Sequence, residues 1–222
     1  MDNAQSQDQR STRGLAWPAV VAVLLAAGSS SRFGAENKLL ADVAGEALVV
    51  RVARALLSSR IAGVVVVTPA DPTAISTAIG PLRRGQSSRL RLVANPDPTR
   101  GISSSIAIGI GAVPAAATGA LIVPGDMPSL TPSTCDTLVS VFESSGGDAV
   151  IHAATPDGGQ RNPVIWPRRL FASLMALEGD TGGKPLIACE RAVRPGHVIA
   201  VPFAAPDLFL DIDVPDDLAR WR

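Results

Sequence analysis

The sequence predicts a three-layer α/β/α fold built on a mostly parallel sheet. Two observations carry that prediction. Several short β-branched runs are apolar at nearly every position, as strands covered on both faces must be. Between those runs the apolar spacing switches to the helical period.

The elements follow in order. Val20–Leu25 (VVAVLL) is the first buried strand. Leu48, Val49, Val52, Ala53, Leu56 and Leu57 then recur at helical spacing, so one stripe of that segment faces a core. Val64–Thr68 (VVVVT) repeats the strand signature, and Ala74, Ile75, Ala78, Ile79 and Leu82 form a second helical stripe. Leu90–Ala94 is a third strand, followed by a third stripe at Ile102, Ile106, Ile110 and Val113. Ala120–Val123 and Ala149–His152 are two more strands. Strand and helix alternate, so right-handed crossovers place helices on both faces of the sheet. Segments 83–89 and 144–147 read as connectors. From about Ala154, Gly and Pro interrupt the pattern; the expectation there is a substrate lobe, then a last strand at Phe209–Val214 and a final helix. Pro215 suits the first helical position, and Asp216 and Asp217 sit where the helix dipole favours anions. Residues 1–17 are polar and read as a flexible tail, leaving 18–222 as a single domain.

Composition narrows the function. Hydrophobic residues make up 46% of the 222 and the formal net charge is +0, so no basic surplus exists to grip a long polyanion. Aromatics are 4% with no tyrosine, which argues against base-stacking platforms. No nucleic-acid partner is expected. No apolar run reaches the roughly 20 residues of a membrane span, and no apolar signal segment opens the chain, so the expected address is cytoplasmic with no membrane partner. Cys135 and Cys189 have no zinc or disulfide-scaffold spacing and read as two reduced, buried thiols. His152 and His197 suggest no catalytic triad and read as structural.

The strongest local signal is the segment LAAGSSSRFGAENK, Leu25–Lys38, directly after the first strand. Gly28 and Gly34 let backbone N–H groups turn toward an anion, and Arg32 and Lys38 add two cations within reach of one ligand. Of the 20 Lys+Arg residues only Lys38 and Lys184 are lysines, so a compact ammonium stands here in a chain that otherwise uses arginine. Neither G-x-G-x-x-G nor a P-loop motif occurs in the loop. Asp126, in Gly125-Asp126-Met127-Pro128, follows a strand whose carboxyl end should face ligand, where one carboxylate could hold Mg²⁺ against a triphosphate. Asp211 and Asp213 alternate onto one face of the last expected strand, and Asp213 is favoured as second metal ligand with Asp211 close behind. Gly101 and Ser103–Ser105 open a helix whose N–H groups could meet an anion, or simply cap it.

LAAGxSxRFGxxxK resembles the signature of the MobA-like NTP transferases, and within them the molybdenum cofactor cytidylyltransferases. NPDPTRGISSSIAIG (95–109), GDMPSL (125–130), RNPVIW (161–166), EGDTGGK (178–184) and DIDVPDDL (211–218) match that family's pattern in the right order. The resemblance implies a Rossmann-like nucleotidyltransferase sheet of the nucleotide-diphospho-sugar transferase type. It implies Asp126 as the metal aspartate and Leu25, Ala26, Ala27, Gly28, Ser29, Arg32, Gly34, Lys38, Asn95, Gly101 and Ser105 around the nucleotide. Asn162, Asp180 and Lys184 would shape the acceptor pocket, although Lys184 stands where the family usually carries arginine. Val214 replaces the usual threonine before Pro215. Ala27 resembles the cytidylyl rather than the guanylyl side, implying CTP, with molybdopterin or its molybdate-loaded form as acceptor, a molybdoenzyme as partner and Mg²⁺ as cofactor.

The implied chemistry is in-line displacement at the α-phosphorus, with Lys38, Arg32 and Asp126 as its catalytic residues. A phosphate nucleophile is already anionic, so no general base is needed. Three readings stay open beside it on sequence alone: a cytidylyltransferase for another phosphorylated small molecule, an NAD(P)H-dependent oxidoreductase acting on a small heterocycle, and a catalytically silent binding protein serving a molybdoenzyme.

Overall fold

The computed structural model describes residues 20–28, 33, 37–86, 88–212 and 214–221. The tail expected at 1–17 lies outside them. The strands are β1 (Val20–Leu25), β2 (Asp42–Val43), β3 (Glu46–Ala47), β4 (Gly63–Thr68), β5 (Leu90–Ala94), β6 (Gly119–Pro124), β7 (Val150–Ala154), β8 (Gln160–Pro167) and β9 (Val198–Pro202). The α-helices are α1 (Leu48–Leu57), α2 (Thr73–Gln86), α3 (Ile102–Gly111), α4 (Pro132–Ser144), α5 (Phe171–Met175) and α6 (Lys184–Val193).

Seven strands form one sheet in the order β5-β4-β1-β6-β8-β7-β9, and β2 and β3 form a small hairpin beside it. All neighbours in the large sheet pair parallel except β8, which is antiparallel to both β6 and β7. Strand β1 shows why its sequence carries no polar alternation. Val20, Ala22 and Leu24 point into one core cluster, Val21, Val23 and Leu25 into another. Helices α1, α2 and α4 cover the first face; α3, α5 and α6 cover the second. This is the three-layer, mostly parallel sheet that the alternating pattern predicts.

Helix α3 lies against the centre of the sheet because Gly109 has no side chain; a Cβ there would sit 2.3 Å from Val23 Cγ1.

Several expectations need correction. Residues from 154 onward do not form a separate lobe: β8 and β9 belong to the main sheet. Phe209–Val214 is not a strand; residues 206–209 form a 3₁₀ turn, and 210–212 carry no regular element. Pro215–Trp221 is a 3₁₀ helix. The physical reason is shared. Edge strand β9 is half exposed and β8 begins with exposed polar residues, so neither gives a continuous apolar run, while alternation alone over-reads a short loop. Of the two cysteines only Cys135 is buried; Cys189 is exposed on α6. Segment 83–86 continues α2 rather than joining a connector.

Candidate active site

Parallel neighbours β1 and β6 end together, with Leu25 in register with Pro124. The chain travels from β1 outward through β4 and β5, then returns to the other side of β1 as β6. Such a reversal leaves a crevice at the carboxyl ends of the strands, where open α/β sheets bind ligand. Ala26 N–H donates to Val67 O at 2.8 Å and Gly125 N–H donates to Leu25 O at 3.0 Å, so three strand ends are tied together there. Gly125 is required for that approach, since a Cβ would lie 2.8 Å from Leu25 O.

Two side chains 88 positions apart meet in the crevice. Lys38 Nζ donates to Asp126 Oδ2 at 2.7 Å. Their side chains are only 19% and 21% exposed, so the pair is partly desolvated. Each is held by its neighbours. Lys38 begins a 3₁₀ turn that Asn37 caps, its side chain accepting from Leu39 N–H at 3.0 Å, and Leu39 is buried. Asp126 is followed by the buried Met127, and Arg51 Nε of α1 donates to Pro128 O at 2.7 Å. Ile212 N–H donates to Asp126 O at 3.3 Å, which brings the segment carrying Asp211 beside the same turn.

A cavity of about 290 Å³ opens over the pair, lined also by Leu25, Gly28, Gly101, Ser105 and Asp180. It shares Leu25, Ile102, Pro124 and Asp180 with a second cavity of about 330 Å³. The second has an apolar floor that includes the indole of Trp166, with Val164 and Ile187 beside it. Its rim is polar: Arg161, Asn162, Asp180, Lys184 and Asp211. One trough thus holds two chambers, one charged and one apolar-floored. A larger cavity of about 500 Å³ lies at the opposite ends of β1, β4 and β5, away from every residue named for chemistry.

The structure therefore gathers Leu25, Ala27, Gly28, Lys38, Gly101, Ser105 and Asp126 at the first chamber, and Asn162, Asp180 and Lys184 at the second. Two residues named for the nucleotide do not line either. Ala26 is 1% exposed, inside the core. Asn95 is equally buried; its amide donates to Ser104 Oγ at 2.9 Å and Ser105 Oγ at 3.0 Å, so it orients serines rather than facing the cavity. Ser29, Arg32, Gly34 and Asp213 lie outside the described residues.

The N-terminus of α3 is not an open anion site. Ile102 N–H donates to Asp180 Oδ1 at 3.0 Å and Ser103 N–H to Gly179 O at 3.2 Å. Segment 179–180 takes the helix's first donors, and Gly101 is what lets it come so close: its φ is 92°, and a Cβ would lie 2.5 Å from the Gly179 carbonyl carbon. Of the second chamber, sequence reasoning missed Trp166. A Cβ on Gly183 would lie 2.3 Å from Trp166 Cζ2. The paired glycines at 182–183 just before α6 were the available signal.

The donor set suits a hard divalent cation. Asp126 Oδ1 is buried and has no hydrogen-bond partner among the described residues, while Oδ2 already carries a cation in the form of the Lys38 ammonium. Among the described residues no three His, Cys, Asp or Glu side chains cluster to hold a metal by themselves. An ion bound by so few protein carboxylates would draw much of its shell from ligand oxygens and water.

An open, mostly parallel sheet with a lysine–aspartate pair at its switch point is a nucleotide-handling architecture. The chain belongs to the MobA-like NTP transferase domain family, whose model matches residues 22–195. Solved structures of the same fold include Rv0371c of Mycobacterium tuberculosis, at 23% identity, TM-score 0.75, covering 93% of this chain and 98% of that one. Rv0371c has also been crystallised with manganese. A nucleotidyl transferase of Methanothermobacter thermautotroptrophicus superposes with TM-score 0.69 at 24% identity, covering 91% of this chain and 95% of that one. The 4-diphosphocytidyl-2C-methyl-D-erythritol synthase of Anaerococcus prevotii does so with TM-score 0.71 at 16% identity, over 91% and 93%. No relative among curated proteins matches the sequence. Among the described residues no helix is long and apolar enough to cross a membrane.

Proposed function

We propose that this protein is a Mg²⁺-dependent cytidylyltransferase that moves CMP from CTP onto the terminal phosphate of molybdopterin, or its molybdate-loaded form, releasing pyrophosphate. The observation that carries the reading is the 2.7 Å contact between Lys38 and Asp126 in a crevice continuous with a second, apolar-floored chamber. The first chamber offers a cation and a metal-seeking carboxylate for a triphosphate. The second offers the flat Trp166 floor and a polar rim for a heterocycle bearing a phosphate. Ala27 at the first loop and a diphosphocytidyl synthase among the fold neighbours support CTP.

In this reading the acceptor phosphate attacks the α-phosphorus in line. The new P–O bond forms as the α–β bridge breaks, and pyrophosphate carries away the electron pair. Lys38, with Arg32 from the loop, holds the β- and γ-oxygens and neutralises the charge that grows on the leaving group. Asp126, with a second carboxylate from Asp213 or Asp211, would hold Mg²⁺, which supplies charge stabilisation at the α-phosphate. Asn95 holds Ser105 at the wall of the nucleotide chamber and Ser104 beside it. Asn162, Asp180 and Lys184 place the acceptor so that its phosphate points at the α-phosphorus. A cytoplasmic setting and a molybdoenzyme recipient belong to the same reading.

Pyrophosphate release measured with CTP, GTP and ATP in turn, with and without molybdopterin, tests it. CTP with molybdopterin should release pyrophosphate well above every other combination. Equal release with GTP overturns the base assignment; release that does not depend on molybdopterin overturns the acceptor.

A further inference from the structure

We propose that Lys38 is the resident counter-cation of Asp126, and that a divalent ion reaches this carboxylate only together with a triphosphate. The proposal rests on the nucleotide-binding reading of the crevice for its second half. Its first half, that the ammonium keeps a free metal off the carboxylate, stands on the geometry alone.

Four features of the crevice lead to it. Lys38 Nζ is 2.7 Å from Asp126 Oδ2, so the more accessible oxygen is occupied by an ammonium. Asp126 Oδ1 is buried with no hydrogen-bond partner among the described residues, so the carboxylate holds donor capacity in reserve. No three metal-seeking side chains cluster among the described residues, so among these Asp126 has little help in stripping water from an ion. Among the described residues, the one other charged side chain lining the chamber, Asp180, is already engaged with Ile102 N–H.

The two partners differ in freedom. Asp126 sits between Gly125 and the buried Met127, in a turn clamped through Pro128 O by Arg51 and through its own carbonyl by Ile212 N–H. Lys38 reaches the same place on a four-carbon stem from a single 3₁₀ turn. The lysine is therefore the part that moves. Without nucleotide, an approaching divalent ion must compete with a charge already seated on the same oxygen, and it has no phosphate oxygens to complete its shell. With a triphosphate present both obstacles fall. The ammonium has phosphate oxygens to bind, and the ion draws further ligands from the same phosphates. Metal and nucleotide are then coupled through one side chain, and the coupling must be reciprocal.

Mn²⁺ titration followed by electron paramagnetic resonance, which reads bound against free ion without any turnover, tests the proposal. In the wild-type protein, Mn²⁺ alone should bind at least about tenfold more weakly than Mn²⁺ in the presence of CTP. Lys38→Met should tighten Mn²⁺ alone by about fivefold or more and at the same time weaken Mn²⁺ with CTP. Adding Asp126→Asn to Lys38→Met should abolish the gain, which assigns it to this carboxylate. Wild-type protein that binds Mn²⁺ equally well with and without CTP overturns the proposal and needs no variant. So does a folded Lys38→Met, or Lys38→Gln, protein whose affinity for Mn²⁺ alone is unchanged. Failure of the wild type to bind CTP with Mn²⁺ at all sinks the cytidylyltransferase reading instead, while the response to Mn²⁺ alone still decides the role of Lys38.

Discussion

Gly183→Ala separates the two chambers experimentally. Gly183 precedes α6 with φ −82°, a conformation alanine adopts freely, so the substitution introduces no backbone strain and tests space alone. The added Cβ would lie 2.3 Å from Trp166 Cζ2 and 2.8 Å from Cη2. Carbon atoms rest at about 3.5 Å or more, so segment 180–184 must retreat by about 1 Å. The indole cannot yield, because it is 2% exposed and packed in the second core cluster. Overpacking of this kind costs about 1–3 kcal/mol of stability. The larger effect falls on the acceptor, because the displaced segment carries Asp180 and Lys184 on its rim. A displacement of that size costs up to about 100-fold in rate when it misaligns reacting groups. The assay is steady-state pyrophosphate release with molybdopterin varied at saturating CTP, beside calorimetric binding of CTP with Mn²⁺. The acceptor kcat/KM should fall at least about tenfold while the CTP dissociation constant stays within about threefold. An acceptor kcat/KM within twofold of wild type would refute the assignment of the Trp166 chamber to the acceptor.

Other consequences are as direct. Gly101→Ala meets both a φ of 92° and a Gly179 carbonyl carbon 2.5 Å away, so it should cost about 2–4 kcal/mol in chemical denaturation and weaken CTP binding by disturbing the start of α3. Glu190→Ala should destabilise by about 2–3 kcal/mol, because Glu190 is 6% exposed and its two oxygens take both terminal nitrogens of Arg169, which retains only its contacts to Asp148. That network sits at the start of β7, remote from Lys38, so CTP binding should not change. His152 sets a pH dependence. Burial holds its pKa below the usual value, and its Nε2 is buried with no partner among the described residues. A depressed histidine contributes stability that is complete above the unfolded value of about 6.5 and declines as pH falls toward the folded value. Urea denaturation at pH 7 and pH 5.5 should therefore show a loss that His152→Gln reduces; an equal loss in both proteins would contradict it.

The parts of the fold that a reader of the sequence can see are those whose burial is symmetrical. β1, β4 and β6 each send alternate residues into two covered faces, so the chain must be apolar throughout, and that run survives in the letters. β8 escapes because its first three residues, Gln160, Arg161 and Asn162, belong to the cavity rim rather than to a core. A strand that begins in a binding site cannot carry a clean strand signature, and β9 is a half-exposed edge. The misplaced strand at Phe209–Val214 shows the converse error. Period-two alternation also fits an extended segment that packs through Leu208 and Ile212 without joining a ladder.

The site divides along a similar line. The meeting of Lys38 and Asp126 follows in part from topology: parallel neighbours β1 and β6 end side by side, so Asp126, just past β6, sits at the edge from which the chain leaves β1 toward Lys38. The closure of α3 by segment 179–180 could not be read the same way, because it depends on a backbone approach across 78 positions that only Gly101 permits. Glycine in the letters states that something comes close, not what. Here it is segment 179–180 that caps α3, through a carboxylate that lines both chambers.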